Sequence, residues 1–126
     1  MESIIPIKTD IKKFYKQYLN IIKPLLNPHL SNGEINVLGE LMYLSYRYNS
    51  YEDSVKEKMI FDYDSKITII DNLDTSLGTL NNTIMALRKK GYIKGNSLSN
   101  KVMIIPTETH SITFKFEISY ETVDAK

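Results

Sequence analysis

The sequence predicts a mainly helical α+β fold, in which two helices joined by a tight turn lead into a small antiparallel hairpin and a further strand follows near the C-terminus. Three observations predict it. Leu77, Leu80, Ile84 and Leu87 recur at spacings of three, four and three, one apolar stripe on a helix of period 3.6. Gly91 follows Arg88-Lys89-Lys90, as a glycine just past a helix does after cations that suit the negative end of the dipole. Beyond it, Tyr92-Ile93-Lys94 and Lys101 to Ile105 flank a Gly, Asn and Ser stretch, residues 95–100, suited to a turn between antiparallel strands.

The preceding elements follow in order. Asp10 can cap a first helix through about Leu25, with Ile11, Phe14, Tyr18, Ile22 and Leu25 along one side, and Pro24 kinks that helix or ends it early. Asn27-Pro28 marks a turn. Ser31 and Glu34 have the spacing of a capping box, so a second helix starts at Ser31, continues through Ile35, Leu38, Leu41, Met42 and Leu44, and finishes near Tyr48. Tyr51 to Lys58 is polar and reads as a loop or a short exposed helix; Met59-Ile60-Phe61 reads as a brief strand that pairs with the later hairpin.

Ile67, Thr68, Ile69 and Ile70 favour a strand by propensity. The capping cluster Asp74-Thr75-Ser76 argues instead for two helices, Ser65 to Leu73 and Ser76 to Lys90, in a helix-turn-helix with the second as reader. After Pro106, Ile112, Phe114, Phe116 and Ile118 alternate with polar residues, the pattern of a half-buried strand. It either covers an open edge of the domain's own sheet or binds another subunit by strand addition, and Tyr120 to Lys126 is a polar tail. The organisation expected is one domain over residues 1–106 with a C-terminal strand extension and tail over 107–126.

A chain of 126 residues is long enough for a core without staples. Absence of cysteine excludes disulfides and cysteine-ligated zinc. No apolar run approaches a membrane span and the N-terminus lacks the pattern of a secretion signal, so a cytoplasmic location or a place inside a larger assembly such as a phage virion is expected. The net charge of +1 is unevenly spread: residues 75–107 hold five basic groups and no acidic one, leaving −4 on the other 93 residues. This concentrates positive potential on the second helix and hairpin, although exposed lysines also serve solubility alone.

Catalysis finds little support. His29 and His110 stand apart from acids at metal-ligand or triad spacing, Asp62, Asp64, Asp71 and Asp74 read as capping or solubilising groups, and no phosphate-binding glycine loop exists. No enzyme, cofactor or metal is expected. Tyr43, Tyr46, Tyr48 and Tyr51 read as packing at the core rim.

With these elements placed, residues 10–105 resemble a winged helix-turn-helix domain of the MarR type, also seen in related phage and plasmid replication or regulatory proteins. The resemblance rests on Leu30-Ser31 with Glu34 and Val37-Leu38, on Ser76-Leu77-Gly78-Thr79-Leu80, and on Ile84, Leu87 and Lys90-Gly91-Tyr92-Ile93. The chain departs from that family in ending in a strand rather than a dimer-forming helix, and in a wing tip, Asn96-Ser97-Leu98-Ser99-Asn100, without an arginine for the minor groove.

For double-stranded DNA, the expected base-edge contacts are Thr79, Asn81, Asn82 and Thr83, with a modest A·T preference, because Asn bonds adenine N6 and N7 and a threonine methyl packs on thymine. Arg88, Lys89, Lys90, Lys94 and Lys101 would meet phosphates, helped by Asn96, Ser97 and Asn100 at the tip. The function expected is a non-enzymatic DNA-binding transcriptional or replication regulator. The alternative is a structural adaptor that joins other protein subunits through Ile112, Phe114, Phe116 and Ile118, for example in a phage particle; oligomeric state is open.

Overall fold

The computed structural model describes residues 3–99 and 111–120. Among them are five α-helices and one two-stranded antiparallel sheet, a mainly helical α+β arrangement. Helix α1 spans Ile11–Ile22 and starts where the carboxylate of Asp10 accepts the backbone N–H of Lys13 at 2.9 Å. Pro24 ends it through a 3-10 turn, Lys23–Leu25, whose side chains are not buried. Its inward face centres on Tyr15, Tyr18 and Leu19, one residue round from the predicted stripe, and Leu25 is exposed.

Helix α2, Asn32–Arg47, is the element the others pack around. Ser31 and Glu34 form the predicted capping box, the serine hydroxyl accepting the Glu34 N–H at 3.2 Å and the Glu34 carboxylate accepting the Ser31 N–H at 2.8 Å. Ten of its sixteen residues are buried, which fits a helix touched on several sides rather than one lying on a surface. Gly39 lets α1 approach closely, since a Cβ there would stand 2.6 Å from Lys16 Cγ and 3.4 Å from the Lys16 backbone nitrogen.

Three further helices complete the bundle: α3, Asp53–Ile60; α4, Tyr63–Leu73; and α5, Leu77–Lys89. Met59 and Ile60 therefore belong to a helix and not to the brief strand expected, because Ile60 is drawn into the helical core and, among the described residues, the hairpin has no third strand. Ser65 to Leu73 is helical despite its β-branched run, with the Asp62 carboxylate accepting the Ser65 N–H at 2.8 Å and Ile69 fully enclosed. Burial here overrides propensity.

A three-residue turn, Asp74-Thr75-Ser76, joins α4 to α5. Asp74 has φ +51° and the N–H of Thr75 bonds back to Ile70 O at 3.2 Å, so an aspartate occupies the left-handed position that glycine usually takes. Helix α5 ends as predicted. Gly91 N–H bonds Arg88 O and Tyr92 N–H bonds Leu87 O, the paired reversal of a Schellman motif, with Leu87 and Tyr92 both buried beside it.

The hairpin is tighter than its composition implies. Strands β1, Ile93–Lys94, and β2, Ser97–Leu98, pair in the register Ile93 with Leu98 and Lys94 with Ser97, so the turn is Gly95-Asn96 and not residues 95–100. Gly95 has φ +63°, the backbone that lets a two-residue connection match strand twist. The expected return strand, Lys101 to Ile105, lies outside the described residues. Residues 111–120 form no strand: the apolar alternation is real, but no sheet edge pairs with it, and Phe116 and Ile118 are 86% and 70% exposed. Phe114 stacks on Tyr18 of α1 at 5.8 Å between ring centroids.

Candidate nucleic-acid interface

Helix α5 divides into two faces. Leu80, Ile84 and Leu87 are buried against α2, α4 and β1, while Leu77, at the edge of the predicted stripe, is 37% exposed. The outward side carries Gly78, Thr79, Asn82, Met85 and Lys89, all exposed, with Asn81, Thr83 and Ala86 half-buried along its margins. No acidic residue lies on this helix, and its first turn holds none to offset the positive end of the dipole.

Local bonding sets what these side chains can offer. Ser76 caps the helix, its hydroxyl oxygen accepting the Thr79 N–H at 3.1 Å and its proton going to Thr79 Oγ1 at 2.9 Å. Thr79 thus keeps its own hydroxyl proton for an outside acceptor. Thr83 donates its proton to Thr79 O at 2.9 Å, which leaves its methyl as the part available to a partner. The Asn82 side chain makes no hydrogen bond among the described residues, so both ends of its amide are available to a base edge.

The basic residues divide into two groups that the sequence does not distinguish. Lys90 is engaged inward, donating to Glu34 Oε1 at 2.7 Å and to His29 O at 2.9 Å. Burial pushes the Glu34 carboxyl up, but the Lys90 ammonium together with the Ser31 N–H and hydroxyl outweighs it and holds the group below its ordinary value of 4.5. Lys90 therefore fastens the end of α5 to the start of α2; it is not a free phosphate contact. Tyr92 adds to the same fastening by donating its hydroxyl to Pro28 O at 2.6 Å.

Arg88 is exposed but works on the hairpin, its Nε donating to Gly95 O at 2.9 Å and its Nη2 to Asn96 Oδ1 at 3.2 Å, while the guanidinium lies 5.6 Å from the centroid of the Phe61 ring. Ser97, expected at a phosphate, instead donates its hydroxyl to the Glu57 carboxylate of α3. Lys89 and Lys94 are exposed and pair with nothing among the described residues. Asn96 is exposed at the tip; Asn100 and Lys101 lie outside the described residues.

The structure thus gathers Thr79, Asn82, Lys89, Lys94 and the tip on one stretch of surface and takes Lys90 and Ser97 out of it. Met85, 60% exposed in the middle of the helix, joins this face although sequence reasoning gave it no role. Its place opposite the Leu80–Ile84–Leu87 stripe was the available signal. Among the described residues no group of acids and histidines is arranged to hold a metal, and no helix is long and apolar enough to cross a membrane. Comparison with family models, with curated proteins and with solved structures finds no match for this chain.

Proposed function

We propose that this chain is a non-enzymatic winged helix-turn-helix module that binds double-stranded DNA, with α4 and α5 as the helix pair, α5 as the reader in the major groove and the β1–β2 hairpin as a short wing. The observation that carries this reading is the outward face of α5, polar, free of acids and flanked at its C-terminal end by Lys89 and Lys94. Thr79 and Asn82 lie in its N-terminal half, where a recognition helix meets base edges, and favour A·T pairs. A role as a transcriptional or replication regulator follows from binding of this kind.

Titration of a fluorescent random duplex by anisotropy tests it. With Lys89 and Lys94 as about two phosphate contacts, affinity should fall roughly 12-fold between about 50 and about 200 mM salt. Lys89→Glu with Lys94→Glu should abolish binding. Absence of binding at the lower salt concentration would contradict the proposal.

A separate observation favours assembly with other proteins. The exposed Phe116 and Ile118 continue a segment whose Phe114 is fixed on α1, so apolar side chains are presented beside a folded helix. Deletion of residues 107–126 discriminates the two readings: it leaves DNA binding intact if α5 is the interface, and removes association with partner subunits if the segment is.

A further inference from the structure

The Glu40 carboxylate, on the side of α2 away from the outward face of α5, is nearly enclosed, with 4% of the residue exposed. Its Oε2 is 3.7 Å from Lys16 Nζ, and its Oε1 is buried with no hydrogen-bond partner among the described residues. A carboxylate oxygen out of water and without a donor is unfavourable. Glu40 stands where two hollows between α1, α2 and α4 adjoin, one of about 130 Å³ and one of about 450 Å³, both of them bounded by Lys12, Glu40 and Asn72. Lys13 and Lys16 border only the larger hollow and Arg47 only the smaller, so the smaller sets two cations, Lys12 and Arg47, around one anion, and the net charge of its lining is +1.

Such a lining selects by contradiction. A simple cation would satisfy Glu40 but be repelled by the rim, and a simple anion would suit the rim but be repelled by Glu40. A ligand that carries both an ammonium and more than one carboxylate meets both demands. We propose that the smaller hollow is a binding site for an acidic α-amino acid, its ammonium on Glu40 and its carboxylates on Lys12 and Arg47, with the Asn72 amide able to bond either group. Arg47 offers a planar fork suited to a carboxylate. The alternative occupant of Glu40 is the chain's own Lys16 or Lys12, closing the hollow with no ligand; the experiment separates the two.

Thermal unfolding of the full chain, without DNA, is measured with L-glutamate, L-aspartate, glutarate and L-lysine at matched ionic strength. Ligand that binds only the folded state raises Tm with concentration. The expected result is a rise with L-glutamate or L-aspartate and none with glutarate, which lacks the ammonium, or with L-lysine, which lacks the second carboxylate. Calorimetric titration should show the same selectivity. Lys12→Ala and Arg47→Ala remove exposed side chains and should weaken binding at least tenfold while leaving the unliganded Tm unchanged; Glu40→Gln should abolish it. An equal rise with glutarate would reduce the site to a general anion surface, and no rise with either amino acid would mean that the lysines close on Glu40 themselves; either result overturns the proposal. DNA enters none of these measurements, so failure here leaves the reading of α5 standing.

Discussion

Two glycines show how differently one residue type is used. Gly39 sits at the crossing of α1 and α2, so Gly39→Ala pushes a methyl into Lys16 and should destabilise the fold by about 1–3 kcal/mol. Gly78 has open space around the position of a Cβ, and Gly78→Ala should instead stabilise by about 0.5–1 kcal/mol through helix propensity and reduced freedom of the unfolded chain. Denaturant midpoints of the two variants should move in opposite directions. Glu34 provides a second residue-scale prediction. Its carboxyl is held below the ordinary value of 4.5 in the folded state, so its contribution is present above that value and is lost as pH falls through the lower folded value. Acid unfolding below about pH 4.5 should therefore be less steep in Lys90→Met, which removes the ammonium and costs roughly 1–3 kcal/mol near neutral pH.

At the scale of elements, the capped helix starts were the most legible part of the sequence. Asp10, Ser31 and Ser76 each accept a backbone N–H three residues on, because a short oxygen-bearing side chain before an apolar run can satisfy an otherwise open donor in only a few ways. The Schellman end of α5 was legible for the same local reason. Elements decided by distant contacts were not: Ile60 belongs to a helix because it is buried in the bundle, and Ile112 to Ile118 form no strand because alternation cannot supply a pairing edge. The return strand of the hairpin hid inside what composition marks as a turn, since Ser97 and Leu98 are neutral by propensity and are held from outside by Glu57 and the core. The turn between α4 and α5 is open to test. Asp74→Gly should be tolerated, whereas Asp74→Val should destabilise by about 1–2 kcal/mol, because a β-branched residue is strained at φ +51°. Arg88→Ala should loosen the hairpin, seen as faster amide exchange at Gly95 to Leu98, with α5 itself unchanged.

For the whole molecule, charge read along the chain and charge read in space differ. The segment that holds five basic groups and no acid in sequence meets Glu34 and Glu57 from α2 and α3 once folded, which neutralises Lys90 and occupies Ser97. What remains outward is narrower than the sequence implied and better placed: Thr79, Asn82 and Lys89 along one helix, with Lys94 and Asn96 beside its C-terminal end. The core that orients this surface is built on α2, so that one side of the bundle presents α5 while another holds the Glu40 hollow. On the proposed function, the outward face of α5 meets a DNA groove. Amide and methyl chemical-shift mapping of the full chain with an A·T-rich duplex tests it most directly. Groove binding by α5 should give shifts concentrated at Gly78, Thr79, Asn82, Met85, Lys89 and Lys94, with Leu80 and Leu87 little changed. Shifts confined to α1 and residues 111–120, or none at duplex concentrations that saturate other groove-reading domains, would contradict it.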